Sequence, residues 1–197
     1  MRDTVDTLRT QIIRDFSGHW LLNDEAHRQS HFEAVEQCGA LIARRLEMDY
    51  NEKEFMLAVY FHDLFAWSRV NHHVLSFEYV RATDYPIIAE LDDHARRRIA
   101  DACLQHRAST RIDFSSDLSE LLCSADRGVP ASADVYLKRS MKFNAARLGI
   151  TEEEAIPSVI AHLHEKFGRN GYARYPKMYT IAFKEELEQF WDQIDAL

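Results

Sequence analysis

The stretch Glu54-Phe55-Met56-Leu57-Ala58-Val59-Tyr60-Phe61-His62-Asp63-Leu64-Phe65 decides how the chain is read. It is an apolar run that ends in two adjacent side chains able to bind a metal. An ionised carboxylate at the end of such a run must be paired or must coordinate a cation to offset its desolvation. Neighbours on a helix point about 100° apart, yet at a helix end both can reach one ion. The pair alone is weak evidence, because an isolated His-Asp is more often a satisfied core histidine beside a cap. Its company changes the reading.

Upstream, His31 shares a helical face with Val35, Cys38 and Ile42, the i, i+4, i+7, i+11 spacing of a core stripe. Downstream, Leu118, Leu121, Leu122 and Ala125 set the inward face of a helix that ends at Asp126-Arg127. Two more histidines lie on apolar faces: His72 opens a helix over 72–81, and His106 follows Ile99 and Cys103 at helical spacing. One histidine on a core face is ordinary. Several of them, with two aspartates that end apolar helices, are not.

The set His31 … His62-Asp63 … Asp126 resembles the H…HD…D signature of the HD-domain metal-dependent phosphohydrolases. The flanks are similar too, in His72-His73-Val74-Leu75-Ser76, in Ala102-Cys103-Leu104-Gln105-His106, and in Ala125-Asp126-Arg127 closing a helix. The resemblance implies an all-α fold, a single-domain helical bundle of the HD-domain type over 1–197. Its signature core covers about 25–130, and helices over 132–197 complete the bundle. It also implies a divalent metal, one or two ions of Mn, Fe, Co, Ni, Zn or Mg, held by His31, His62, Asp63 and Asp126. Mixed imidazole and carboxylate donors suit transition metals better than calcium.

In dinuclear members of that family two further histidines complete a second metal site bridged by the aspartate of the pair, a role open to His72 and His106. Eight residues separate Asp63 from His72, a short connection for the family. That favours catalytic work for Asp63, His72 and His106, the histidines acting as acid or phosphate contact. His73 is an alternative to His72, and His27, one turn before His31, either orients it or is exposed. Two departures stand out. Leu64-Phe65-Ala66 replaces the glycine and basic residue common after the pair, and Ala66 occupies the place of an HD-x-x-E glutamate. Glu78 is a substitute by location only.

The implied activity is hydrolysis of a phosphate ester or anhydride of a nucleotide or similar small molecule by a metal-activated water. The alternatives are an HD-fold dinuclear-iron oxygenase using all six ligands and a non-catalytic metal-binding sensor module. A phosphorylated substrate needs cations, and the candidates are Arg107, Arg127, Lys138, Arg139 and Lys142, with Arg169, Arg174 and Lys177 near a later loop. Trp67, Tyr172 and Tyr175 are candidates for stacking on a base.

Composition bounds these readings. A chain of 197 residues with 46% hydrophobic content suffices for one packed domain. A net charge of -8 argues against a binder of duplex nucleic acid or of membrane surfaces, while a metal can still attract a small anion. Neither a membrane span nor an apolar leader is visible, and Cys38, Cys103 and Cys123 read as reduced core thiols, so a cytoplasmic location is expected. Self-association is left open.

Few glycines and prolines and no alternating runs predict helices throughout. The first helix is expected over 3–16, with a turn at 17–20. A second, capped at Asn23-Asp24-Glu25, is expected to reach about Met48, and Asn51 with Glu54 starts the His-Asp helix. Asp92 or Asp93 opens the His106 helix, with Arg96, Arg97 and Arg98 on a solvated face, and Ser115 or Ser116 caps the next. Further helices are expected over 132–148, over 151–167 with Pro157 inside, and over 178–197 with Ile181, Leu187, Phe190 and Ile194 inward.

Overall fold

The computed structural model describes residues 2–109, 113–173 and 175–197, with side chains from residue 4 onward. Among the described residues every regular element is helical. Arg174 lies outside them. In chain order the helices are α1 (Arg2–Trp20), α2 (Gln29–Arg45), α3 (Glu52–His62), α4 (His72–Ala82), α5 (Pro86–Ala89), α6 (Asp93–Gln105), α7 (Asp117–Ala125), α8 (Ala133–Leu148), α9 (Glu152–Phe167), α10 (Lys177–Ala182) and α11 (Lys184–Asp195), with a 3₁₀ turn at Glu25–His27.

Helix α3 organises the first part of the chain. Asn51 caps it by accepting the Glu54 N–H at 3.1 Å, and every residue from Glu54 to His62 is buried. A helix that is apolar all round has to be surrounded. Helices α1, α2, α4, α6 and α7 all pack on it. Helix α2 comes close at Gly39, where a Cβ would run into the Phe55 ring. The polar exception on α3, Glu54, has Arg98 Nε at 3.3 Å.

The structure corrects several sequence expectations. Helix α1 runs through the expected turn at 17–20, because Trp20 is buried against Phe32 and Tyr60 at ring separations of 4.8 and 5.9 Å. Burying an indole outweighs the roughly 1 kcal/mol that Gly18 costs inside a helix. Helix α2 begins only at Gln29, since Arg28 is extended, and Asp24 caps the short turn before it instead. It ends at Arg45, and Glu47 then takes a left-handed φ of 50°. Of the three arginines on α6, only Arg97 is solvated. Arg96 donates to the carbonyls of Val80, at 2.7 Å, and Thr83, satisfying the end of α4, while Arg98 faces Glu54. His19, with no partner pattern in the sequence, is half-buried with its ring edge-on to Phe65.

Contacts divide the chain into two compact units. The first comprises Met1–Gly128 with Pro176–Ala182, so that α10 lies on α2 and α7. The second comprises Val129–Tyr175 with Phe183–Leu197. In the second, Gly149 takes the left-handed φ of 68° that ends α8, and Thr151 with Glu154 forms a reciprocal capping box for α9. Ala155, Val159 and Leu163 are its buried core, with Tyr136, Leu137, Met141 and Phe167 packed on them. The expected single helix over 178–197 breaks at Phe183 (φ −122°, ψ 34°) into α10 and α11. Arg45 Nη1 donates to the freed Ala182 carbonyl at 2.8 Å, and Ile181, expected inward, is exposed. No helix of the described residues is long and apolar enough to cross a membrane. The three cysteines are buried thiols outside any disulfide.

Candidate metal centre

All six candidate ligands lie in the first unit, at helix ends or on faces that α3 organises. Asp63 is the C-cap of α3 (φ −111°, ψ 25°), which turns its carboxylate into the space that His62 faces. The two oxygens of Asp63 look in opposite directions. Oδ2 stands 3.4 Å from His62 Nε2 and 3.6 Å from His31 Nε2. Asp126, capping the end of α7, brings Oδ1 to 3.3 Å from His31 Nε2 and 3.5 Å from His62 Nε2. Oδ1 of Asp63 stands 3.3 Å from His72 Nε2 and 3.4 Å from His106 Nε2. Two groups therefore share Asp63, one of four residues and one of three, each with its donor atoms within 4.8 Å of one another.

The donor atoms themselves fit a cation. Ring Nδ1–H groups donate to backbone carbonyls: His62 to Val59 and His106 to Cys103, each at 2.7 Å, and His72 to Arg69 at 3.3 Å. Such bonds orient the rings and leave Nε2 to present a lone pair to a metal once it is deprotonated. Yet Nε2 of His72 lies 3.3 Å from Nε2 of His106, and Nε2 of His31 lies 3.3 Å from Nε2 of His62. Asp63 Oδ1 is buried with no hydrogen bond of its own. Ring nitrogens turned on one another beside buried carboxylates need positive charge among them, whether protons or a metal ion. Metal–ligand bonds of about 2.1 Å place adjacent donors about 3.0–3.4 Å apart, close to the 3.3–3.6 Å found here.

The electrostatics differ between the groups. Burial opposes charge on His62, but Asp63 and Asp126 outweigh it and push this imidazole up to about 10. His31 is raised too, by Asp126 and Asp63 against its own burial. The imidazoles hold both carboxyls well below the usual range in spite of burial. His72 moves the other way, to about 4: burial lowers it, and nearby His106, Arg107 and His73 oppose the pull of Asp63.

The short connection from Asp63 to His72 is no obstacle. Consecutive turns, Leu64 N to Phe61 O, Ala66 N to Asp63 O and Ser68 N to Phe65 O, wind residues 64–71 back onto the site. Asn23 fixes the same region. It is buried, its Nδ2 donates to the carbonyls of His27 and Asp63 at 3.0 Å each, and its Oδ1 accepts from Trp67 N at 2.9 Å. Sequence reasoning missed this role, since an Asn before a helix reads as a cap; nothing local in the sequence distinguishes the two. His27 reaches the edge of the centre, with Nε2 3.8 Å from Asp63 Oδ2.

The proposed substrate cations divide. Arg107 follows His106 and donates to Val70 O at 2.9 Å, and Arg127 follows Asp126 with its guanidinium 5.8 Å above the Tyr179 ring. Lys138, Arg139 and Lys142 are exposed on α8, in the second unit. Glu78 is exposed on α4. Arg169 is committed to Glu188, Asp192 and Asp195 within the second unit.

No family model matches the chain, and no curated protein or solved structure matches it. What stands is a helical protein with buried His/Asp groups in range of holding a metal ion.

Proposed function

We propose that the protein is an HD-type, metal-dependent phosphohydrolase acting on a phosphate ester or anhydride of a nucleotide or another small phosphorylated molecule. One observation carries the reading: Asp63 divides its two oxygens between two histidine pairs, with Asp126 completing one side. The resemblance of the same residues to the H…HD…D signature supports it. His31, His62, Asp63 and Asp126 would hold one divalent ion, and Asp63, His72 and His106 a second. A bound metal acidifies a water and polarises a phosphoryl oxygen.

The remaining work falls to the chain. His62, His72 and His106, each donating from Nδ1 to a backbone carbonyl, keep Nε2 aimed inward. Arg107 and Arg127, next in sequence to ligands, provide positive charge for phosphoryl oxygens. In the hydrolysis the water oxygen bonds to phosphorus, the bond from phosphorus to the leaving oxygen breaks, and that oxygen gains a proton.

Metal analysis of the purified protein, followed by a phosphate-release screen across nucleoside mono-, di- and triphosphates with Mn, Co, Ni and Mg, tests this. Release of phosphate from one class, abolished by chelation, is expected. A second reading rests on the six-donor set itself, which also suits a dinuclear-iron oxygenase. Native iron with substrate-dependent oxygen consumption and no phosphate release would select it. Bound metal with neither activity would point to a sensor.

A further inference from the structure

Beside the six donors a separate chain of side chains leads from the surface to the centre. Arg69 Nη2 donates to Asp24 Oδ2 at 2.6 Å. Asp24 Oδ1 accepts from His27 Nδ1 at 2.6 Å and from Ala26 N at 3.0 Å. A carboxylate can only accept, so His27 donates from Nδ1, and in the neutral ring Nε2 carries a lone pair. That lone pair faces Asp63 Oδ2 at 3.8 Å, beyond hydrogen-bond range. With the ring neutral, both atoms are acceptors, and neither can satisfy the other.

Two acceptors at that separation suit one molecule that donates to both, and a water does so. The placement is firmly held. Asn23 bonds the carbonyls of both His27 and Asp63, and the His27 ring packs edge-on to His31 at 5.6 Å. His27 is also the more open of the pair, its side chain 28% exposed against 4% for Asp63, so it stands where solvent and substrate arrive. Resting on the hydrolase reading, we propose that His27 accepts a hydrogen bond from the attacking water and orients it toward phosphorus. Asp24 is a positioning residue that fixes the His27 tautomer, and Arg69 holds Asp24.

The test has an arm that needs neither metal nor substrate. Long-range ¹H–¹⁵N spectra of the metal-free protein report which ring nitrogen of His27 carries the proton. The wild type is expected to show Nδ1–H, and Asp24→Ser, which keeps a capping oxygen but cannot reach the ring, to shift toward the Nε2–H form that a free histidine prefers. In the loaded enzyme, Asp24→Ser and His27→Leu should each lower kcat by about 10²-fold, the scale of a misplaced reacting group, with KM and bound metal unchanged. His27→Gln, which keeps an acceptor at similar reach, should recover part of that loss. An Nε2–H tautomer in the wild type overturns the proposal, as does a folded His27→Leu protein with full kcat. A wild type that hydrolyses no phosphate compound overturns the hydrolase reading instead, and the tautomer spectrum tells the two failures apart.

Discussion

The two sides of Asp63 use the same side-chain chemistry and reach opposite states. On the Oδ2 side, His31 from α2 and His62 from α3 meet a second carboxylate, Asp126, and His62 is pushed up to about 10. On the Oδ1 side, His72 from the start of α4 and His106 from the end of α6 share only Asp63, and His72 is drawn down to about 4. One extra carboxylate separates a site that attracts cations and protons from one that presents bare lone pairs. The Oδ2 side is therefore expected to bind its ion first and more tightly.

The largest test removes the shared residue. Asp63→Ala should reduce bound metal from about two ions per chain to none and bring phosphate release to background, since both groups lose a donor. Retention of one ion, measured by elemental analysis, would mean that the sides do not depend on Asp63 equally. Next, His106→Ala should disable the Oδ1 side alone, leaving about one ion and a kcat lower by roughly 10²–10⁴. Full stoichiometry with the same fall in kcat would instead make His106 an acid or phosphate contact.

A smaller effect concerns protons. His62 lies above neutrality in the metal-free protein, so it is charged at pH 7 and must release its proton to a metal. Affinity on the Oδ2 side should accordingly rise with pH, by up to about tenfold per unit between pH 6 and 8. His72 is already neutral across that window and adds no such slope. Calorimetric titration of His106→Ala with Mn, which isolates the Oδ2 side, should show the dependence; a flat profile would remove the electrostatic contrast. The mildest test acts through packing. Gly39→Ala should push α2 from the Phe55 ring, cost about 1–3 kcal/mol in thermal unfolding, and weaken the His31–His62 side while sparing His72 and His106. Equal weakening of both sides would show that α2 positions more than His31.

Most of the donor set was legible because each donor ends or lines an apolar helix, where a polar group needs a reason. His31, His62, Asp63, His72, His106 and Asp126 could all be named from period and neighbours. Asn23, Asp24 and Arg69 could not, because their partners are 40 or more residues distant or belong to a turn that looks like an ordinary cap. Arg96 and Arg98 misled for the opposite reason: three consecutive arginines read as solvated, and only long-range packing places a carbonyl or carboxylate beside two of them. The break at Phe183 has no glycine or proline to mark it. It coincides with Arg45, far upstream, donating to the Ala182 carbonyl that ends α10.

The wound connection between Asp63 and His72 also has an entropic meaning. With only eight residues between the two side chains, the polypeptide would act toward a metal as a chelating ligand whose arms are already close. Lengthening that arm to about twice its size adds roughly 0.6 kcal/mol of closure entropy, about threefold in affinity, before any contact is changed. The compactness of this segment would thus contribute to retaining a metal in a way that no donor atom displays.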